Sequence, residues 1–526
     1  MPLAWFLSLP EKFSCWPLKR RGAFVFAAGA FSVPALPPYG LWLVLAITLP
    51  LLYAILSTSR SAKTAFLEGW LFAFGYFGFG LMWIGNALLV EGNPFSWVWP
   101  LAIAGLPALL GLFYGVMAML LHRFRKPGTL LSGWLAFVGG LALTEWLRGH
   151  LFTGFPWNLY GYAWNNTATI TQSVWLFGSY GLTLVTIFWA LLPSLLWCGA
   201  KKQQTMALCL LGGLSFLGLQ IWGYARLSNN PIDLRSDVVV RLVQPNIPQE
   251  DKWDSRKAND NARKLLSLTT PDERDAGTTT LIIWPETAVT ETFLMHPNVK
   301  PAVQEILETY RHPAFLLTGL LRREIGPANN TEYYYNSLAT YDSGLNQIAL
   351  YDKFHLVPFG EYIPLQNLIP LDPFVNFSGF ERGKGAQTQT VKKGITISPL
   401  VCYEIIFPHA VTNNQPQRPD LIVNVTNDAW YGDSAGPRQH LAMARFRAIE
   451  EGISVARAAN TGISGLFDPY GRLLADIDLG EAGAKNISLP RASERGPYSA
   501  LGDCPFAIML ASLFVGAYFY SRKGKH

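Results

Sequence analysis

Unbroken apolar runs fill residues 22–222, whereas from residue 232 onward short β-branched runs alternate with amphipathic stretches, punctuated by Pro, Asn, Asp and Gly. The two patterns call for different solvents. A helix needs about 20 apolar residues to cross a bilayer. Segments near 22–38, 40–56, 66–90, 97–121, 129–147, 172–197 and 205–222 meet or approach that length, and one more lies at 505–520. The first is crowded at its end by Pro34, Pro37 and Pro38. The expected organisation is a transmembrane helical domain over 1–222 with about seven spans, an extracytoplasmic α/β domain over 223–504, and a last span with a basic tail over 505–526.

In the α/β part, period-two and wholly apolar runs predict strands at 238–244, 280–285, 315–320, 335–341, 395–402, 421–426 and 463–468. Helical spacing predicts helices at 254–269, 299–310 and 439–452. Strands alternating with helices, several of them apolar on both faces, imply sheets covered by helices. Residues 354–380 are irregular, rich in Pro and nearly uncharged apart from Glu361 and Asp372. Such a stretch is either buried in the domain or laid on the bilayer surface as a lid.

Composition supports the membrane assignment, because 526 residues with 50% hydrophobic and only 15% charged content are too apolar for an ordinary soluble enzyme. The net charge of +6 is distributed unevenly. One set of alternate loops holds Lys12, Lys19, Arg20, Arg21, Arg60, Lys63, Arg123, Arg125, Lys126, Lys201, Lys202, Arg522, Lys523 and Lys525, and the opposite short loops hold only Arg148. Lys and Arg near span ends stay on the cytoplasmic side. Both termini are therefore expected in the cytoplasm and the α/β domain outside it. No basic stripe interleaved with exposed aromatics suggests a nucleic-acid groove. Five cysteines do not form a disulfide framework; Cys402 and Cys504 are the only ones in or beside the α/β domain.

Three polar residues end or interrupt short β-prone runs: Glu286 in TLIIWPE, Lys353 in QIALYDK and Cys402 in ITISPLVC. Adjacent strand ends bring such groups into one site. Each alone has a plain structural reading, as a strand-end carboxylate, a solvated amine and a small buried hydrophobe. Together they supply a nucleophile, a base for it and a cation for developing negative charge.

WPE, DKxHLVPFGE and CYE, in that order with key residues 67 and 49 positions apart, resemble the nitrilase superfamily and its Glu-Lys-Cys triad. Glu361, Tyr403, Glu404 and the NVTNDAWYG run at 424–432 extend the resemblance. With the membrane spans, and with TEWLRGHLFTGFPWNLYGY (144–162), GPRQHLAMARFRAIE (436–450) and RAANTGISG (457–465), the whole chain resembles the bacterial apolipoprotein N-acyltransferase family. That resemblance implies an αββα sandwich and acyl transfer from a membrane phospholipid, typically the sn-1 chain of phosphatidylethanolamine, through a thioester. The acceptor is the α-amine of diacylglyceryl-cysteine at an apolipoprotein N-terminus.

It further implies Cys402 as nucleophile and acyl carrier, Glu286 as general base and acid, and Lys353 as oxyanion stabiliser. Glu361 holds the lysine or base, and Tyr403 and Glu404 position the strand end. Trp253 matches a functional aromatic of the family, with packing as its alternative role. Trp157, in the aromatic TGFPWNLYGYAW segment, is a candidate substrate contact or a plain interfacial anchor. No metal or organic cofactor is implied, and a monomer in the bacterial inner membrane is expected. Two rivals share these residues: a membrane-tethered amidase or hydrolase, and a transporter or receptor with an inactive sensor domain. The second is disfavoured by an intact triad and by spans without an obvious charged relay.

Overall fold

Two six-stranded mixed sheets are stacked face to face in the C-terminal half of the computed structural model, which describes residues 8–89, 96–124, 130–198, 200–252, 254, 256–271, 278–326, 331–363, 379–413 and 417–523. The first contains β1 (Leu234–Gln244), β2 (Thr279–Thr290), β3 (Ala314–Ile325), β4 (Glu332–Tyr341), β5 (Gln347–Asp352) and β12 (Gly483–Pro490), in the order β12-β1-β2-β3-β4-β5. The second contains β6 (Gln389–Lys392), β7 (Ile395–Val401), β8 (Leu421–Thr426), β9 (Ser454–Ala459), β10 (Ser464–Phe467) and β11 (Leu473–Ile477), in the order β11-β10-β9-β8-β7-β6. Each has a parallel centre, β1-β2-β3 and β7-β8-β9, with antiparallel flanks.

Strand alternation explains the layers. Val240, Leu281 and Leu317 of the first sheet meet Ile397, Val423 and Ala456 of the second in a dry core. Their neighbours Ile282 and Leu316 point the other way, onto Leu265, Val303 and Leu307 of the helices Ala258–Thr269 and Lys300–Glu308. Leu400, Ile422 and Val455 face Met443, Phe446 and Ile449 of the helix Ala435–Glu451. The result is an αββα sandwich. The cluster around Met443 runs on into the N-terminal bundle, through residues such as Tyr160 and Ile187. One helix layer of the sandwich is thus also the floor on which the bundle sits.

A helix stands at each of the eight places where a span was expected: Leu18–Phe31, Leu45–Ser57, Ala62–Gly80, Trp99–Phe124, Leu130–His150, Val174–Leu191, Lys202–Ser228 and Cys504–Lys523. Among the described residues four helices are long and apolar enough to cross a membrane, or five if Ala62–Gly80 and the turn Met82–Leu88, bent by 54°, form one span. Leu18–Phe31 has 14 residues, about 21 Å at 1.5 Å per residue, short of a core of about 30 Å. It packs against Ala62–Gly80 so closely that a Cβ on Gly29 would lie 1.9 Å from the carbonyl oxygen of Phe72.

Two arginines counted as loop charges are not in loops. Arg21 is buried and meets Glu68 at 2.5 Å while donating to the carbonyls of Phe13 and Ile55. Arg148 is buried beside Glu145 at 2.6 Å, and Glu145 also accepts from Tyr114 at 2.6 Å. The loop count is therefore corrected for Arg21 and Arg148, which lie inside the bundle. Two ion pairs sit inside it, each closed by further hydrogen bonds, as burial of charge requires.

Candidate active site

The three residues expected at strand ends converge. Glu286 lies inside β2, where its register with β3 breaks between Trp284 and Val289, and not at the strand's end; Lys353 follows β5 directly, and Cys402 follows β7. All three are buried, Lys353 at 1% exposure and Cys402 at 8%. Each takes its position from local backbone. Thr287, after Glu286, has φ +43°, and Cys402 itself has φ +53° at the sharp turn from β7 into the short helix Cys402–Ile406. A left-handed residue other than glycine costs about 1–2 kcal/mol, so the surrounding structure must hold this turn in place.

Carboxylates organise the site. The Lys353 ammonium donates to Glu361 Oε1 at 2.8 Å, and the Asn336 side-chain amide on β4 donates both to the same oxygen at 3.1 Å and to Glu286 Oε1 at 2.8 Å. Asn336 thus joins the candidate base to the lysine's partner. Its backbone carbonyl also accepts the Lys353 N–H at 2.9 Å. Glu361 Oε2 accepts the N–H of Val357, which fixes the start of the following loop. Burial works against the Lys353 charge, but Glu361, and then Cys402 and Glu286, hold its ammonium well above the usual lysine range. Burial, and then the nearby Glu286 carboxylate, push the Cys402 thiol upward against the pull of Lys353. Both influences favour the neutral form of this thiol.

Glu404 is a staple. One oxygen accepts the Tyr351 hydroxyl at 2.7 Å and the N–H groups of Phe354 and His355 at 2.8 and 3.0 Å; the other accepts the Val401 N–H at 2.8 Å. It ties the chain after the lysine to the strand before the cysteine. Tyr403 points away, toward the bundle, where its hydroxyl donates to the Gly154 carbonyl at 3.2 Å and its ring lies near Phe155. Trp157 is buried at 1% exposure, and its indole N–H donates to Gln439 Oε1 at 2.8 Å. Trp83 donates to the same oxygen at 3.2 Å. Trp253 and residues 364–378 of the apolar segment lie outside the described residues.

Other residues here were not singled out in the sequence. Lys252 donates to the Glu286 carbonyl at 2.9 Å and to Thr287 Oγ1 at 2.6 Å, and burial lowers its ammonium to about 8 against the charges of Glu286 and Cys402. Beside Cys402 is a fully buried polar set. Asn424 and His440 Nε2 contact the Cys402 carbonyl at 3.2 and 3.3 Å, Asp428 contacts His440 Nδ1 at 3.0 Å, and Arg457 bonds Asp428 at 2.5 Å and Asn424 at 2.9 Å. Burial alone would raise the Asp428 carboxyl, but Arg457 and His440 hold it below the usual range. Asn424 and Asp428 lie in the NVTNDAWYG run, His440 in the 436–450 segment and Arg457 in the 457–465 segment that carry the family resemblance, but individually their signal was only a polar residue inside an apolar run, as in LIVNVT and SVARAA. Among the described residues no group of three or more His, Cys, Asp or Glu is placed to hold a metal ion.

A buried thiol on a strained turn, with a carboxylate and an ammonium linked through an amide, is equipped for acyl transfer through sulfur. Known proteins resemble most of the chain. Residues 28–192 match the apolipoprotein N-acyltransferase N-terminal domain and residues 239–492 match the carbon-nitrogen hydrolase domain. An apolipoprotein N-acyltransferase of Rhodopseudomonas palustris is 37% identical over 94% of both chains, and one of Brucella melitensis is 37% identical over 96% of this chain and 97% of its own. A solved amidase from Nesterenkonia sp. aligns over 50% of this chain and 94% of its own, at 18% identity and a TM-score of 0.32, too low to bear on the site. Coverage by both domains in order, and relatives matched nearly end to end, place this chain in the apolipoprotein N-acyltransferase family.

Proposed function

We propose that the protein carries out its family's N-acyl transfer in two half-reactions through a thioester on Cys402. Glu286 takes the thiol proton as sulfur attacks the sn-1 ester carbonyl of a phospholipid such as phosphatidylethanolamine. The Lys353 ammonium and a backbone N–H at the cysteine's turn stabilise the oxyanion. The C–O bond then breaks, and Glu286 returns the proton to the glycerol oxygen, releasing lysophospholipid. In the second half the α-amine of a diacylglyceryl-cysteine attacks the thioester and loses its proton to Glu286. The amide forms, the C–S bond breaks, and the proton returns to sulfur.

The observation that carries this reading is the buried Cys402 thiol, on which the charges of both Glu286 and Lys353 act, on a face of the sandwich joined to the bundle through Tyr403 and Gly154. Both substrates have their acyl chains in lipid, and withdrawing those chains into water costs about 0.8 kcal/mol per CH₂. A nucleophile set against a membrane bundle avoids that cost. The charge pattern supports an external catalytic domain. With Arg148 buried in its ion pair, the loops assigned to the outer side hold no Lys or Arg, while Lys19, Arg20, Arg60, Lys63, Lys201 and Lys202 remain on the inner side.

The test is to incubate purified protein with phosphatidylethanolamine vesicles and measure the mass of the Cys402 peptide. An acyl adduct discharged by a diacylated lipopeptide amine is expected. No adduct, together with a fully active Cys402→Ser variant, would refute the thioester. An adduct released by water alone would favour a hydrolase.

A further inference from the structure

We infer that Lys252 is a positioning residue for Glu286: its ammonium fastens the strand bulge that carries the base to a loop anchored on the sheet that carries Cys402. The inference rests on the thioester reading, in which Glu286 takes the thiol proton, and adds what keeps base and nucleophile in register.

That register needs a brace because the two groups belong to different sheets. Glu286 lies in β2 of the first, and Cys402 follows β7 of the second. The backbone at Glu286 has also left its ladder. Trp284 pairs with Thr318 and Val289 with Leu320, so residues 285–288 bulge over the single residue Gly319. Gly319 lets the bulge lie close, since a Cβ there would come 2.5 Å from the Glu286 Cα and the Pro285 carbonyl oxygen. Thr287 completes the bulge at φ +43°. A segment that is off its ladder and in the left-handed region must be held by other bonds.

Lys252 supplies two of them. Its Nζ donates to the Glu286 carbonyl at 2.9 Å and to Thr287 Oγ1 at 2.6 Å, on consecutive residues of the bulge. Burial lowers the ammonium only to about 8, with Glu286 and then Cys402 favouring the charge, so at neutral pH both bonds are charge-assisted. The other end of the brace is on the second sheet. Asn460, directly after β9, donates its side-chain amide to the Ile247 carbonyl at 2.9 Å and accepts the Ile247 N–H at 3.2 Å; its backbone carbonyl accepts the Asn246 N–H at 3.1 Å. Asn427, directly after β8, donates to Gln249 Oε1 at 2.7 Å. Gln249–Lys252 is a single helical turn, so the lysine follows its anchors with little slack. The anchoring strand β8 pairs with β7, at whose end Cys402 stands.

The test asks whether Lys252 acts through Glu286. Alkylation of Cys402 by iodoacetamide at neutral pH and acylation by phosphatidylethanolamine vesicles both require the thiol proton to leave, and both are read from the mass of the Cys402 peptide. Lys252→Met keeps an apolar stem and removes the donor. Both rates should fall at least tenfold, because misplacing a reacting group by about 1 Å costs up to about 100-fold. The vesicle concentration giving half the maximal rate should be unchanged. Lys252→Arg, which keeps a cationic donor, should recover most of the loss. In a Glu286→Gln background, Lys252→Met should slow alkylation by less than about twofold, because a residue that acts through Glu286 then has nothing to position. Unchanged rates in Lys252→Met, no recovery in Lys252→Arg, or the same fractional loss with and without Glu286 would each overturn the inference. If the unmodified chain forms no acyl adduct while alkylation follows the expected pattern, the thioester reading alone fails and the positioning of Glu286 stands.

Discussion

The carboxylate of Glu450, on the helix covering the second sheet, accepts both the amide N–H and the hydroxyl of Ser179 at 2.7 Å, at the point where a bundle helix breaks. The break is at Gly178, with φ +71°, where a Cβ would lie 2.2 Å from the Tyr498 ring. A kink frees an N–H that a continuous helix would use, and the catalytic domain supplies its acceptor. Arg447 completes the joint, donating to the Ser179 hydroxyl at 2.7 Å and pairing with Glu450 at 2.7 Å.

Removing that acceptor separates the two modules. Glu450→Ala strands Arg447 and the Ser179 amide in a dry interface, and breaking a buried pair in this way typically costs about 3–5 kcal/mol. A melting temperature lowered by several degrees in detergent, read by tryptophan fluorescence, is the expected outcome.

The same residue gives the joint a pH dependence. Unfolded, Glu450 titrates near 4.5; folded, burial pushes it up to about 7 even though Arg447 and Ser179 pull it down. The folded state binds this proton more tightly, so the associated stability is full below about 4.5 and is lost as pH rises through about 7. Melting curves across that window should show a falling component that is absent in Glu450→Gln.

Asn336 is the sole described side chain that donates to both Glu286 and Glu361. Asn336→Asp places a third carboxylate there and removes the shared donor. Like charges disfavour ionisation, so the acidic limb of the acylation rate should move to higher pH, with a loss of at least tenfold at neutral pH. A pH–rate profile of adduct formation checks this.

Tyr403→Phe removes the 3.2 Å bond to Gly154 but keeps the ring against Phe155. A loss of about 1 kcal/mol in stability is expected, with acylation nearly unchanged, because the side chain points away from Cys402 toward the bundle. Tyr403→Ala, which also loses the packing, should be several-fold slower. Calorimetry and adduct kinetics together make the comparison.

The convergence of Glu286, Lys353 and Cys402 was legible because each ends or interrupts an apolar run, although β2 continues past Glu286 to Thr290. The helix over 439–452 was legible for the same reason of pattern, although it begins earlier, at Ala435, where Ser434 caps it. Strand β9 was not read, because Arg457 interrupts SVARAA, and no local rule says that this charge is buried against an aspartate 29 residues away. The edge strands β11 and β12 carry exposed, mixed side chains and look like loops. Arg21 looked like a topological charge because its partner Glu68 is 47 residues away. Trp157 looked like a lipid-facing anchor because Gln439, which it meets, is 282 positions distant. Pairings set by tertiary approach leave no trace in periodicity.

The chain beyond Lys353 leaves and returns through a closed neck: the Lys353 carbonyl accepts the Gly383 N–H at 2.9 Å, and the Glu361 carbonyl accepts the Phe380 N–H at 2.9 Å. With Glu404 pinning Phe354 and His355, and Glu361 pinning Val357, the outgoing end is anchored on carboxylates that also build the site, and the returning end on the backbone carbonyls of Glu361 and Lys353. The number and identity of residues beyond that neck are thereby insulated from the spacing of Glu286, Lys353 and Cys402. Insertions or deletions between residues 363 and 379 are therefore expected to leave those three residues in register.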